Sequence, residues 1–156
     1  MKRYLTLALA ALAFAACQQT VEPQMVPGKV QVEPVITKAT EVNFEAGDKI
    51  GFTMAKVNDT EKYADNACLT FDGSVFAGEL MWYADAYSEA DVYAYYPYHE
   101  TVSDVNKLYF EVATDQTGKG YELSDFLWAK AEGVRQSDGT VNLEMKHLMS
   151  KLTVKI

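Results

Sequence analysis

From Phe44 onward the apolar residues fall in short runs that alternate with polar ones and stop at Gly, Asp or Asn, a pattern of short strands rather than helices. Ile50, Phe52 and Met54 alternate with Gly51, Thr53 and Ala55 after the turn-forming Glu45-Ala46-Gly47-Asp48. Side chains alternate across a strand, so this segment is expected to carry one face of large residues. Leu69–Phe71 and Ser74–Phe76 flank Asp72-Gly73, a dipeptide suited to a two-residue hairpin loop. Val92 to Tyr96 is apolar in both phases, which predicts a central strand covered on both faces and ended by Pro97. Leu108, Phe110 and Val112 predict a further one-faced strand. No helix of appreciable length is predicted.

The last segment changes phase. Val141, Leu143 and Met145 share one alternation and Leu152, Val154 and Ile156 the other. One strand face cannot hold both sets without a shift, so a bulge or bend is expected between His147 and Ser150. Such a bend lets one strand serve two packed sheets and favours a sandwich. The run of apolar residues up to Ile156 has no polar tail, which is expected of the first part of a larger protein.

The N-terminus has a different organisation. Lys2 and Arg3 precede an apolar stretch from Tyr4 to Ala16 that is too short to cross a bilayer, which needs about 20 residues. It reads as an export signal, residues 1–16, to be set apart from the fold. Ala15-Ala16-Cys17 resembles a bacterial lipobox, with Phe14 where Leu is usual, so cleavage is expected between Ala16 and Cys17 and lipidation at Cys17. Residues 17–42 read as a linker or pro-segment in which Pro23, Pro27 and Pro34 prevent a continuous helix. Within it Val30, Val32 and Val35-Ile36 form an extended segment expected along a sheet edge. Residues 43–156 then form a single β domain.

The formal charge of −8 becomes more negative once Lys2 and Arg3 leave with the signal. No basic stripe exists to displace counterions from phosphate, so nucleic acid is not an expected partner. With Cys17 lipidated, Cys68 has no disulfide partner, and it is expected as a small side chain packed in the core. His99 and His147 would need further ligands to hold zinc. Asp85, Glu89 and Asp91 lack the spacing of a calcium loop and read as a solvated turn. His147 continues the Val141-Leu143-Met145 phase and is expected at the core edge, hydrogen-bonded to backbone. No catalytic, cofactor or metal site is assigned, and the carboxylates scattered along the loops do not suggest a hydrolase. Trp82, Tyr83, Tyr87, Tyr93, Tyr95, Tyr96 and Tyr98 make an aromatic-rich region, most of it expected as core. Tyr83 and Tyr87 are expected at the surface, where exposed rings could stack on a glycan.

Five segments then carry a family resemblance: Phe44–Gly51 (FEAGDKIG), Leu80–Trp82 (LMW), Val92–Tyr98 (VYAYYPY), Asp125–Lys130 (DFLWAK) and His147–Leu152 (HLMSKL). In this order, behind a lipobox, the chain resembles the N-terminal half of the fimbrillins, pilus subunits and related surface lipoproteins of Gram-negative anaerobes. The resemblance implies a non-catalytic, transthyretin-like antiparallel β-sandwich at the outer membrane or in a fimbrium, followed in full-length relatives by a second sandwich. It also implies assembly with other pilus subunits by strand exchange, after a protease removes an N-terminal segment. The matching position here is Lys38-Ala39, with lysine where arginine is common; the Val30–Ile36 segment would be the strand that leaves. Membrane contact is expected through the lipid, and a host or glycan ligand is the remaining partner to expect. The alternative is a monomeric glycan-binding surface lipoprotein, which needs exposed rings and no processing.

Overall fold

In the computed structural model, residues 28–36, 43–58, 61–82, 88–102, 104–105 and 107–150 are described. Alternation becomes strand at β1 (Lys29–Ile36), β2 (Lys49–Lys56), β3 (Lys62–Phe71), β4 (Phe76–Met81), β5 (Ala90–Tyr96), β6 (Leu127–Val134) and β7 (Val141–His147). Among the described residues the helical pieces are α1 (Lys119–Leu123) and a 3-10 turn at Gln136–Asp138. The all-β reading therefore holds.

The ladder runs β1-β4-β3-β2-β5-β6-β7 and returns to β1, closing a barrel. All neighbours are antiparallel except β1 and β7, which run parallel. The separate sheets of a transthyretin-like sandwich are thus not the connectivity observed. The reason is β1, which was expected at a sheet edge and instead has a partner on each side. Its first half pairs with β4 (Lys29↔Met81, Gln31↔Ala77, Val32↔Phe76). Its second half pairs with β7, from Val32↔Val141 to Ile36↔Met145. Pro34 lies past the last β4 pair, where its missing N–H costs that ladder nothing. A segment that read as linker therefore contains the strand that closes the barrel.

The inward phase of each strand fills one core: Val30 and Val32; Ile50, Phe52 and Met54; Leu69; Phe76; Ala90, Val92, Ala94 and Tyr96; Leu127 and Ala129; Val141, Leu143 and Met145. Phe44 packs against this core, its ring 4.9 Å from Phe76 and 5.4 Å from Tyr96. Burial pushes the Tyr96 hydroxyl up to about 12. The alternations of β2 and β7 are those predicted, as is the double covering of β5. Tyr95 lies in the outward phase of β5 yet is only 2% exposed, because the excursion from Pro97 to Phe126 folds over it.

Three local expectations are corrected. Leu108, Phe110 and Val112 form no strand; residues 108–113 run without a ladder, and Phe110 docks on Phe126 at 4.9 Å. Phe110 alone of the three shows this docking on the outside of the barrel, and Val112 is exposed. Cys68 is exposed, not core. Ile50 pairs with Leu69, which points inward, so Cys68 opposite Gly51 must point outward. The hairpin between β3 and β4 does not turn on Asp72-Gly73 alone: the strands end at Phe71 and resume at Phe76. The Asp72 N–H donates to Val75 O at 3.1 Å, and Asp72 Oδ1 accepts from the N–H groups of Ser74 and Val75 at 2.8 and 2.9 Å. Gly73 takes a φ of 106°, which residues with a Cβ rarely adopt. The phase switch expected beyond His147 involves residues 151–156, which lie outside the described residues.

Those backbone N–H bonds hold the Asp72 carboxyl below its ordinary value. An acid whose pKa is depressed by folding stabilises the fold above its unfolded value, about 3.9, and loses that contribution as pH falls through the lower folded value. Asp72→Ala should therefore lower the urea midpoint at neutral pH, and the difference from wild type should shrink at about pH 3. An unchanging difference over that range would mean that the ionised carboxylate adds nothing through the turn.

Candidate functional site

Two places carry chemistry that a purely structural reading does not exhaust: the seam filled by β1, and the excursion over the outer face of β5. At the seam, Val30 and Val32 are fully buried while Lys29, Gln31, Glu33 and Val35 face out. Trp82, 4% exposed, donates its backbone N–H to Gly28 O at 2.9 Å and anchors the start of β1 beside β4. Lys29 Nζ sits 3.1 Å from Glu79 Oε1, both exposed, a pair worth well under about 1 kcal/mol. Without β1 the remaining order is β4-β3-β2-β5-β6-β7, an open antiparallel sheet with bare edges at β4 and β7. The far end of β7 is tied down separately. His147 Nδ1 lies 2.9 and 2.8 Å from the two Asp125 carboxylate oxygens, and the Leu148 N–H donates to Phe126 O at 2.8 Å. His147 thus pairs with a carboxylate at the edge of the core.

The excursion is held by a clasp. The Tyr95 hydroxyl donates to Asn66 Oδ1 at 2.7 Å and lies 3.1 Å from His99 O; it also accepts the His99 N–H at 3.3 Å. Asn66 Nδ2 donates to His99 O at 2.9 Å, and the Asn66 N–H donates to Thr53 Oγ1 at 3.1 Å. Asn66 has a φ of 51°, a left-handed conformation that Asn tolerates better than most residues. Burial raises the Tyr95 pKa, so its proton stays in place at neutral pH. Gly51 lies directly beneath the ring: a Cβ there would fall 2.1 Å from Tyr95 Cε1 and 2.6 Å from Asn66 Oδ1. The spacing of these residues in sequence carries no signal of this clasp, because it joins three strands and a loop.

Of the residues singled out by sequence, Cys17, Lys38, Ala39, Tyr83, Tyr87 and Asp85 lie outside the described residues. Glu89 pairs with Arg135, and Asp91 Oδ1 accepts the Gly133 N–H at 3.2 Å. Among the described residues no three His, Cys, Asp or Glu side chains converge as metal ligands. His99 packs at the edge of Phe110, 6.4 Å between ring centres, and His147 sits with Asp125. The aromatic cluster divides: Trp82, Tyr95 and Tyr96 are buried, and Tyr93 is half-buried under the Lys130 ammonium, 5.3 Å from its ring centre.

These features define a class: an all-β domain whose N-terminal strand bridges two edges of an otherwise complete antiparallel sheet. The chain belongs to the fimbrillin-like family, whose model matches residues 37–156, beginning one residue after β1 ends. It is 30% identical to a protein of Bacteroides uniformis named as a fimbrium subunit, Fim1C, over 95% of this chain and 52% of the relative. It is 26% identical to a protein of Bacteroides ovatus named as a fimbrium tip subunit, over 100% of this chain and 36% of that relative. The chain therefore spans about half, or less, of the curated relatives it matches. Among solved structures, one from Bacteroides uniformis described as a cell adhesion protein superposes with a TM-score of 0.57 at 31% identity, covering 77% of this chain and 47% of that one. A fimbrial protein of Bacteroides ovatus shares the fold with a TM-score of 0.60 at 23% identity, over 79% of this chain and 29% of that one.

Proposed function

We propose that this chain is the N-terminal part of a non-catalytic fimbrium subunit at the cell surface, exported as a lipoprotein through Cys17 and assembled by strand exchange. The observation that carries this reading is the position of β1. It closes the barrel with half of its length on each neighbour, and its pairing with β7 is parallel, slightly weaker per residue than antiparallel. It precedes the part of the chain that the family model matches. Cleavage between Lys38 and Ala39 would free β1 from the domain and leave the backbone groups of β4 and β7 unpaired. A strand from another subunit would then gain main-chain hydrogen bonds at both edges and place alternate side chains in the pockets of Val30 and Val32.

The test is the N-terminal sequence and mass of the protein recovered from its native cell surface. Assembled material is expected to begin at Ala39, and unassembled precursor at a Cys17 that takes up labelled palmitate. Lys38→Ala should leave chains starting at Cys17 and abolish high-molecular-weight polymers. Polymers built from chains that retain β1 would sink strand exchange, and palmitate labelling of a Cys17→Ala protein would place the anchor elsewhere.

A further inference from the structure

The excursion over β5 encloses a partly open pocket of about 360 Å³ between the segment after Tyr98 and the ladderless segment 107–111. Such a volume lies near the lower end of small-ligand pockets, about 300–1,000 Å³. We propose that this pocket binds a neutral saccharide, with Tyr109 as its stacking platform. The assignment does not depend on how subunits assemble.

The first reason is the placement of Tyr109. Its side chain is 85% exposed, the most exposed large hydrophobic among the described residues. A single exposed apolar residue is ordinary, but this ring stands on the wall of a pocket. Strand-like alternation puts it there: Phe110 turns inward onto Phe126, and its neighbours Tyr109 and Glu111 turn outward. A half-buried Leu108 and Val102 add apolar surface to the same wall.

The second reason is the chemistry beside the ring. Thr101 supplies a hydroxyl, Glu111 a carboxylate and His99 an imidazole, so donors and acceptors line the same pocket as the aromatic face. A pyranose presents that combination: a C–H face to cover a ring, and a rim of hydroxyls that each donate and accept. A purely apolar ligand would leave these polar groups unpartnered on desolvation. An anionic one would meet Glu111 beside Lys107, whose ammonium is 3.8 Å from Asp104 Oδ2, on a chain of net charge −8.

The third reason is rigidity. His99 is fixed through its backbone by Tyr95 and Asn66, and the 108–111 wall is fixed by Phe110 on Phe126. Both limbs are thus held by the barrel before any ligand arrives, which lowers the ordering cost of binding.

The experiment is saturation-transfer NMR on the full-length protein with lactose, maltose, cellobiose and N-acetyllactosamine, and with sialyllactose as an acidic comparator. Transfer to at least one neutral disaccharide is expected. Tyr109→Ala should weaken it by about tenfold or more, the scale of one aromatic contact, and Tyr109→Phe should stay within about twofold of wild type. Circular dichroism of the alanine variant should match wild type, because the side chain it removes is exposed. Transfer to none of the neutral sugars, transfer to sialyllactose alone, or transfer unchanged by Tyr109→Ala would each overturn the assignment.

Discussion

Val32→Asp is expected to release β1 from the barrel while the rest of the sheet stays folded. Val32 is fully buried, and it is the residue at which β1 passes from one neighbour to the other, opposite both Phe76 and Val141. A carboxylate there would sit among apolar side chains, and an uncompensated buried charge costs about 3–5 kcal/mol. That is a large fraction of the roughly 5–15 kcal/mol that holds a domain together. The strain has two outlets, global unfolding or departure of β1 alone. Departure is expected, because β4, β3, β2, β5, β6 and β7 remain a connected antiparallel ladder without it. Hydrogen exchange should therefore show lost protection in β1 and along the facing edges of β4 and β7, with β2, β5 and β6 still protected. Loss of protection everywhere would show that β1 is integral to the core and contradict the proposal that it is a removable strand. Val35→Thr, at a position 48% exposed, should change stability by no more than about 0.5 kcal/mol and serves as the control.

Gly51→Val is the second large effect, expected to destabilise by about 3 kcal/mol although it adds only apolar atoms to a strand. β-branched residues normally suit strands, so propensity alone predicts the opposite sign. The space decides against propensity, because the first added carbon would overlap the Tyr95 ring at 2.1 Å and crowd Asn66 Oδ1 at 2.6 Å. Relief requires the ring to move, and moving it breaks the hydroxyl bonds to Asn66 and His99. The check is a double-mutant cycle by urea denaturation with Tyr95→Ala. The cost of Gly51→Val should fall sharply in the Tyr95→Ala background, since the atom it strikes is gone. Additive costs would mean that the substitution does not act through the Tyr95 ring.

Much of the fold was legible along the chain because strand alternation is a local property. Ile50, Phe52 and Met54, the set from Val141 to Met145, and the doubly covered Val92–Tyr96 read correctly, since each residue's face follows from its neighbours two places away. The same rule misled at Leu108, Phe110 and Val112, which form no ladder: Phe110 docks against the outside of the barrel and Val112 is exposed. The sequence reading also misplaced Cys68, whose direction depends on the β2–β3 register, and made the turn at Asp72 too short, because the Asp72 side chain as well as the dipeptide shapes it.

The candidate sites divide along the same line. Sequence by itself determined an acidic all-β domain and membership of a recognisable family, because these reside in composition, short motifs and period-two patterning. Tertiary structure alone decided that β1 joins β4 to β7 and closes the ring, and that Tyr95, Asn66 and His99 meet around Gly51. It also set the outer pocket beside Tyr109. Alternation states which way a side chain points, but which edges pair is a choice among distant segments, settled by register and packing that no local window contains.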